Sequence, residues 1–437
     1  MSFRRPRGTQ DLLPAEAARW RRVTGSMRRC LESYGYGEIR TPVFEETELF
    51  VRGVGTGTDI VQKEMYTFPD RKGRNLTLRP EGTAPVARAY LENNLGHEGG
   101  VRRFYYLGPM FRYDRPQAGR FREFFQVGAE AIGSALPELD VEVIDAMMNM
   151  LRDLGLVGLA VEINSVGHPA CRAVYEDALG AALARESASL CPTCIERTRT
   201  NPLRVLDCKN QSCQEVAARL PVLREFLCDD CRAHYGAVLA GLESLGVPYT
   251  ENPRLVRGLD YYTRTAFEVH YPPLGAQSAL GGGGRYDGLI EACGGPPTPA
   301  VGFSCGIERV LVALDEQGAA AVAPAVPVLV LPLGEASRRR ALALAGVLRH
   351  TAPAAVDLTG RSLKAQLRAA DRSGARIAVI LGDDELGRGE AILRDLEAGT
   401  QTAHPLDAVP EMVRAAMARA AVAGSPPTPP SASGGRP

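Results

Sequence analysis

Two strand-like segments, residues 101–113 and 122–130, are joined by a short polar loop and predict a long antiparallel hairpin. Successive side chains point to opposite faces of a strand, so Gln126 and Glu130 share one face while Val127 points to the core. An amide and a carboxylate on the same face indicate the floor of a polar pocket. The alternative is a surface hairpin with ordinary charged positions.

Arginines surround the end of this hairpin. Arg112 lies at the end of the first segment, where a guanidinium could clamp a phosphate group. The loop and its borders add Arg115, Arg120 and Arg122, which predict an anion-binding rim. A loop of this size could also contact the end of a nucleic acid, for which Arg115, Gln117 and Arg122 are the candidates.

The bulk composition narrows the class of protein without identifying it. The chain has 437 residues, of which 45% are hydrophobic, enough for two or three globular domains. Lys+Arg and Asp+Glu both total 51, so no global positive charge points to a nucleic-acid partner. No secretory signal opens the chain, and the apolar run from Ala319 to Leu333 is too short and too rich in proline to span a membrane. We therefore expect a cytoplasmic protein with no membrane partner.

Hydrophobic periodicity and local composition divide the chain into six regions. An amphipathic helix is predicted over 15–34, followed by a short strand that stops at Pro42. Strands that alternate with helices near the C-terminus predict a small α/β domain with a mostly parallel sheet. The predicted regions are 1–165, mixed helices and hairpin strands; 166–247, a helical Cys-rich insertion; 248–318, a return to strands; 319–327, a Pro/Ala-rich linker; 328–420, the α/β domain; and 421–437, a disordered tail.

Glu81, Gly82 and Thr83 follow a short strand over 76–78. If this segment is extended, Glu81 and Thr83 present a carboxylate and a hydroxyl to one side, which suits an ammonium group. The alternative is a turn in which Thr83 is the N-cap of a helix over 84–92.

Residues 257–262 read Arg-Gly-Leu-Asp-Tyr-Tyr and precede a strand pattern. Arg257 could reach a carboxylate or phosphate, and a buried hydroxyl of Tyr261 or Tyr262 needs a polar partner such as an imidazole nitrogen. Ordinary packing of the tyrosines is the alternative. Four glycines, Gly281 to Gly284, indicate either a flexible turn or bare backbone against which a bulky ligand lies.

A strand that runs into a helix is predicted over 299–314. Gly302, Ser304 and Gly306 alternate, so one face carries almost no side chains and could accept a flat ring. Arg309 falls in the first helical turns, where the helix dipole also favours phosphate. Tight packing of strand against helix is the alternative.

In order and number, these motifs resemble those of histidyl-tRNA synthetases, within the class II aminoacyl-tRNA synthetases. Arg257–Tyr262 and Ala279–Gly288 are similar to the two histidine-specific signatures, and residues 106–130 and 299–314 to the second and third class motifs. The resemblance extends through residue 420. It implies an α+β catalytic domain with a six-stranded antiparallel sheet, a helical insertion, a C-terminal α/β anticodon-binding domain, and a homodimer.

The resemblance also implies a reaction. A histidine–tRNA ligase activates L-histidine with ATP and Mg²⁺ to histidyl-adenylate and pyrophosphate, then transfers histidine to the 3′ end of tRNA(His). Two arginines, Arg112 and Arg257, would have catalytic roles, the first on the α-phosphate and the second bridging carboxylate and phosphate. Arg309 would hold the γ-phosphate of ATP, and Gly306 would also belong to the ATP site. The residues implied in binding histidine are Glu81, Gly82, Thr83, Gln126, Glu130, Arg257, Tyr261 and Tyr262.

Six of the ten cysteines lie within residues 191–231. Two Cys-x2-Cys pairs, Cys191 with Cys194 and Cys228 with Cys231, have the spacing of a tetrahedral zinc site, while Cys208 and Cys213 leave the ligand count open. One interpretation is structural zinc held by the two pairs. The other is reduced cysteines that only pack.

Two non-catalytic interpretations compete with the ligase. One is the regulatory subunit of ATP phosphoribosyltransferase, which resembles this enzyme, and the other is a sensor of uncharged tRNA. The first would be expected to lack the histidine signatures or the anticodon domain, and the second would normally be attached to a kinase. Neither expectation agrees with this sequence.

Overall fold

The computed structural model describes residues 3–115, 119–200, 202–206, 208–318 and 327–423. Their contacts form two compact units, one within residues 1–12 and 20–320 and the other within residues 13–19 and 321–437. Most of the predicted linker (319–327) and of the predicted disordered tail (421–437) lies outside the described residues.

The described residues contain strands in three sheets. The strands are β1 (Gly37–Glu38), β2 (Phe44–Glu46), β3 (Tyr66–Pro69), β4 (Asn75–Leu78), β5 (Arg102–Phe111), β6 (Glu123–Ile132), β7 (Ala160–Ser165), β8 (Tyr249–Glu251), β9 (Thr263–His270), β10 (Ala279–Arg285), β11 (Ala300–Gly306), β12 (Val328–Leu333), β13 (Ala354–Val356), β14 (Ile377–Gly382), β15 (Glu390–Asp395) and β16 (Gln401–Pro405).

Helices connect and cover these strands. The α-helices are α1 (Pro14–Ser33), α2 (Thr47–Val54), α3 (Thr83–Glu92), α4 (Pro137–Arg152), α5 (Pro169–Arg185), α6 (Pro192–Thr200), α7 (Gln211–Ala217), α8 (Asp229–Ser244), α9 (Leu289–Ala292), α10 (Ile307–Glu316), α11 (Glu335–Leu348), α12 (Leu363–Arg372), α13 (Asp383–Gly387) and α14 (Val409–Ala423). No helix in the described part of the chain is long and apolar enough to cross a membrane.

An eight-stranded sheet organises the first unit, in the order β1-β5-β6-β11-β10-β9-β7-β8. The six strands from β5 to β7 are antiparallel throughout, and the two short edge strands β1 and β8 pair in parallel with their neighbours. The long hairpin predicted for residues 101–130 is present as β5 and β6. The antiparallel six-stranded core therefore has the expected form.

The four consecutive glycines lie in the middle of strand β10, so the interpretation as a flexible turn is wrong. The backbones of β9 and β11 approach this strand closely: a Cβ atom built on Gly281 would overlap the carbonyl of Ser304, and one on Gly283 would overlap that of Gly302. Glycine is needed here because no side chain fits between the neighbouring backbones. Gly281 also borders the central cavity, in agreement with the alternative of bare backbone beside a ligand.

Helices α1 and α4 pack on one face of this sheet. The predicted amphipathic helix over 15–34 is α1, whose Trp20, Val23, Met27 and Leu31 are buried in the main core. Helix α8 also contributes buried residues to that core, although it lies within the predicted Cys-rich insertion and its first turn carries Cys231. The other face is thereby free to carry the polar side chains of β6.

Helices α5, α6 and α7 surround a separate, smaller core in the Cys-rich region. In the second unit, β13, β12 and β14 are parallel, as predicted, while β15 and β16 add an antiparallel hairpin that the sequence analysis missed. That hairpin is charged and short, so its alternation of apolar residues is weak.

Candidate functional site

A cavity of about 610 Å³ opens on the polar face of the main sheet. Strands β9, β10 and β11 form its floor, together with the start of helices α3 and α10 and the tip of the β5–β6 hairpin. Among its lining residues are Glu81, Thr83, Arg112, Gln126, Arg257, Tyr261, Gly306 and Arg309. The cavity thus brings together segments that lie more than 200 residues apart in the chain.

The first turn of α3 is held by Glu81, not by Thr83. The Glu81 carboxylate accepts hydrogen bonds from the backbone N–H groups of Thr83, at 2.7 Å, and of Ala84, at 3.0 Å. The alternative in which Thr83 is the N-cap is therefore wrong: Thr83 is the first helical residue, and the N-cap is Gly82. A carboxylate at this position is favoured by the helix dipole, although burial raises the pKa of Glu81.

Glu130 lies beneath this turn and is almost completely buried. Its carboxylate accepts hydrogen bonds from the hydroxyl of Thr83, at 2.8 Å, and from that of Tyr286. Burial raises the pKa of Glu130 to about 8, against the opposing effect of these two hydroxyl donors. Gly302 on the neighbouring strand leaves room for the carboxylate, since a Cβ atom there would overlap it.

Arg112 lies at the tip of β5, with its guanidinium 5.4 Å from the centre of the Phe124 ring. Its Nε donates to the carbonyl oxygen of Pro80 at 2.7 Å. Burial lowers the pKa of Arg112, and the carboxylates of Glu64 and Glu81 act in the opposite direction. The side chain is held from two directions, as a rigid anion-binding group requires.

Arg257 enters the cavity from the loop before β9. It forms an ion pair with Glu268 on that strand, and its guanidinium lies 5.8 Å from the centre of the Tyr262 ring. Burial acts to lower the pKa of Arg257, but Glu268 and Tyr262 outweigh it, so the pKa lies above its ordinary value. Among the described residues, the buried Nε of Arg257 has no hydrogen-bond partner. Part of this cation is therefore available to a ligand.

The start of α10 supplies a third arginine. Gly306 is the N-cap residue, and Arg309 follows in the first turn, where its Nε donates to the carbonyl of Ala279 at 2.6 Å. Glu308, beside Arg309, also lines the cavity, and its carboxylate accepts a hydrogen bond from the backbone N–H of Phe125. Burial raises the pKa of Glu308 to about 7.

Comparison with known proteins assigns the family. The model of the family described as histidyl-tRNA synthetase matches residues 8–310. The chain belongs to the histidyl-tRNA synthetase family. A model described as an anticodon binding domain matches residues 327–416.

Individual relatives agree with this assignment across nearly the whole chain. The histidine–tRNA ligase of Desulforudis audaxviator is 52% identical over 95% of this chain and 99% of the relative, and that of Pelotomaculum thermopropionicum is 51% identical over 94% and 97%. The crystal structure of the apo histidyl-tRNA synthetase of Staphylococcus aureus matches with a TM-score of 0.80 at 37% identity, covering 94% of this chain and 100% of that one. The class II fold of the family is thus present here.

Most residues that the resemblance implied for the histidyl-tRNA synthetase site meet in the cavity, but three occupy other places. Glu130 and Tyr262 are not among the described residues that line the cavity, but each is buried in contact with one that does: Glu130 with Thr83, and Tyr262 with Tyr261. Gly82 faces the ring of Tyr106, which a Cβ atom would overlap. Gly82 is therefore explained by packing. Tyr261 lines the cavity, with its ring centre 4.7 Å from that of Tyr262.

The three candidates for the tRNA end differ in their surroundings. Arg115 is exposed beside the cavity, and Gln117 lies outside the described residues. Arg122 stacks on Tyr113, with the guanidinium 3.8 Å from the ring centre, and it also packs against Gly8. Arg120, which the sequence analysis placed only on the rim, lines the cavity itself.

The predicted zinc ligand set is wrong, because the two Cys-x2-Cys pairs belong to different clusters. The first cysteine cluster consists of Cys191, Cys194, Cys208 and Cys213, and the second consists of His168, Cys171, Cys228 and Cys231. In each cluster the ligand atoms lie within 4.8 Å of one another. Spacing along the chain identifies each Cys-x2-Cys pair, but only the fold determines which other ligands lie next to that pair.

Two residues of the site, Glu268 and Tyr286, are not predicted by the sequence motifs. Glu268 lies in a strand pattern and forms an ion pair with Arg257, and Tyr286 of the second histidine signature donates a hydrogen bond to Glu130. A polar residue inside an apolar strand is the signal that could have found Glu268. Nothing local could have found Tyr286, because its partner is 156 residues away.

Proposed function

We propose that this chain is a histidine–tRNA ligase that activates L-histidine with ATP and Mg²⁺, and then transfers histidine to the 3′ end of tRNA(His). One observation carries the proposal. A single cavity is lined by four arginines, Arg112, Arg120, Arg257 and Arg309, and also by the carboxylate of Glu81 and the amide of Gln126. That arrangement suits an amino acid lying beside a polyphosphate.

Adenylate formation needs the histidine carboxylate in line with the α-phosphate of ATP, with the developing charge neutralised. In our proposal Arg112 holds the α-phosphate, and Arg257 bridges it to the carboxylate through the guanidinium edge that carries its unpaired Nε. Arg309 holds the γ-phosphate, and the exposed backbone at Gly306 lies beside the nucleotide. The hydrogen bonds and ion pair that hold these arginines support their role as preorganised groups, which provide more stabilisation than mobile ones.

Histidine recognition is the second part of the proposal. The buried Oε1 of Gln126 has no hydrogen-bond partner among the described residues, and it would accept from the α-ammonium group, beside Glu81 and Thr83. We assign the two imidazole nitrogens to Glu130 and Tyr262, with Tyr261 covering the ring. Such a pocket rejects apolar analogues strongly, because its own buried polar groups would lose their partners.

For the transfer step we propose that the 3′ end of tRNA(His) approaches along the β5–β6 loop, with Arg115 and Gln117 as contacts. We propose that Arg122 stabilises this loop and does not contact tRNA directly, because its side chain is already stacked on Tyr113. We further propose that residues 1–165 and 248–318 are the catalytic domain, that residues 166–247 are an insertion, and that residues 328–420 bind the anticodon.

We also propose that the enzyme acts as a homodimer in the cytoplasm. Val43, Phe44 and Phe68 are large apolar side chains that are at least 40% exposed on or beside the small sheet of β2, β3 and β4. Exposed apolar residues grouped on one element are typical of an interface. All ten cysteines are free, which suits a reducing compartment.

The test is ATP–pyrophosphate exchange with each of the twenty amino acids in the presence of Mg²⁺. We expect exchange with histidine alone, followed by charging of tRNA(His) transcripts. A folded protein that exchanges with no amino acid would overturn the proposal in favour of a regulatory or tRNA-sensing role.

A further inference from the structure

We propose that the Cys-rich insertion binds two zinc ions, one in the first cysteine cluster (Cys191, Cys194, Cys208, Cys213) and one in the second cluster (His168, Cys171, Cys228, Cys231). The first site offers four thiolates, and the second offers three thiolates and one imidazole nitrogen. Both are four-ligand sets with short spacing within each pair, as in closed structural zinc sites.

The sulfur separations fit a metal better than a disulfide. In a tetrahedral site with a Zn–S bond of ~2.3 Å, neighbouring sulfurs lie about 3.8 Å apart. Cys191 Sγ and Cys208 Sγ are 4.0 Å apart, about twice the ~2.05 Å length of a disulfide bond. All eight ligand atoms belong to compact groups formed by segments that are up to 63 residues apart, His168 to Cys231.

Backbone N–H groups point at several of these sulfurs. The N–H of Cys191 donates to Cys213 Sγ at 3.3 Å, and that of Cys228 donates to Cys171 Sγ at 3.2 Å. Hydrogen bonds of this kind stabilise sulfur that carries negative charge, which is the metal-binding form. In the second cluster, His168 Nδ1 lies 3.0 Å from Cys171 Sγ, so its nitrogen faces the same centre.

The small hydrophobic core of the insertion is a further reason to expect bound metal. Its core contains fourteen buried residues, and four of them are cysteines of the two clusters: Cys171, Cys194, Cys213 and Cys231. A core this small stabilises a fold weakly, and metal binding is one of the ways in which small cores are reinforced. Without metal, these thiols would contribute only as small apolar groups.

In each cluster, one cysteine is followed directly in the chain by a basic residue that contacts the site region. One lines the cavity, and the other contacts the loop before β9. Lys209 follows Cys208 and lines the cavity. Arg172 follows Cys171 and donates to the carbonyl oxygens of Asp260, at 3.3 Å, and of Tyr262. The second zinc site would therefore fix the arginine that holds the loop carrying Arg257 and Tyr262. This link to histidine binding rests on the proposed function, whereas the presence of zinc does not.

The test is the zinc content of the full-length protein, purified without added metal and measured by inductively coupled plasma mass spectrometry. We expect two zinc ions per chain in the wild type. Cys208→Ser and Cys228→Ser each change a half-buried ligand of a different cluster, and each variant should retain one zinc after mild chelation. The matched control Cys293→Ser, at a half-buried cysteine outside both clusters, should retain two.

A second measurement does not depend on the folding of any variant. Titration of the wild type with a mercurial reagent should release two zinc ions, detected with a chromogenic chelator, as the cluster thiols react. Zero or one zinc ion per folded chain would overturn the two-site proposal, and so would iron in place of zinc.

The proposed effect of the second zinc site on histidine binding can be measured separately, through the KM for histidine. We expect Cys228→Ser to raise the KM for histidine in the exchange assay about tenfold, while Cys293→Ser leaves it unchanged. A Cys228→Ser enzyme that has lost zinc but keeps the wild-type KM would overturn the coupling. A wild type with two zinc ions and no exchange activity would instead overturn the proposed function and leave the zinc assignment in place.

Discussion

Replacing Asp140 by Asn should destabilise the first unit more than any surface charge change, because Asp140 and Arg285 form an ion pair in which both side chains are fully buried. Arg285 Nε lies 3.0 Å from the Asp140 carboxylate, and a second nitrogen of Arg285 also donates to it. Asn has the same volume, so no cavity forms. Its amide N–H groups would, however, face a guanidinium that can only donate.

Removing one charge of a buried pair costs about 3–5 kcal/mol, because the other charge stays buried with fewer partners. In Asp140→Asn, Arg285 would keep only one carboxylate partner, that of Asp287, which lies 3.1 Å from it. The first unit spans about 310 residues, so its unfolding entropy is about 0.65 kcal/mol/K at ~2.1 cal/mol/K per residue. We therefore expect the Tm of Asp140→Asn to fall by about 5–8 °C. Thermal unfolding followed by circular dichroism measures this shift directly.

The matched control is Glu38→Gln, which removes a carboxylate paired with Arg28 and Arg40 at the surface. Solvent screens that pair, so its loss should change the Tm little. If Asp140→Asn lowers the Tm no more than Glu38→Gln does, the buried pair does not stabilise the fold as we infer.

The same pair predicts a pH dependence with a definite sign. Burial acts to raise the pKa of Asp140, but His234 and Arg285 lower it by more, so the pKa lies below its ordinary value. Its stabilising contribution is therefore present at neutral pH and is lost as the pH falls below about 3.9, the ordinary pKa of Asp. The difference in stability between the wild type and Asp140→Asn should shrink over that acid range, whereas a constant difference would contradict the assignment.

Three further substitutions test the active site. Arg257→Ala should reduce histidine-dependent ATP–pyrophosphate exchange by about 100-fold or more while circular dichroism shows an intact fold, and near-wild-type exchange would remove its proposed role. Glu130→Gln should weaken the selection of histidine over other amino acids in the same assay. In addition, wild-type stability should fall as the pH rises from the ordinary Glu pKa of about 4.3 towards the raised pKa of Glu130, about 8, whereas the Gln variant should lack this slope in urea titrations. Gly302→Ala places a methyl group against the Glu130 carboxylate and should raise the KM for histidine more than that for ATP, so equal effects on both would place the damage elsewhere.

The sequence by itself determined many of the local elements, and it determined the family. Period-two alternation predicted the β5–β6 hairpin, helical spacing predicted α1, and alternation of strands and helices predicted the parallel part of the second unit. Each of these patterns is a property of neighbouring residues, because backbone geometry alone sets the period. Motif order then indicated the family that the comparisons assign.

Only the tertiary structure decided which groups meet. Glu130 is held by hydroxyls from residues 47 and 156 positions away, Thr83 and Tyr286. The local spacing of the cysteines suggested one zinc site, but in the fold they form two clusters. Arg285 lies 145 residues from Asp140 in the chain, yet the two form a buried ion pair. Spacing along the chain carries no information about such contacts, because they depend on how distant strands and helices pack over the same face of the sheet.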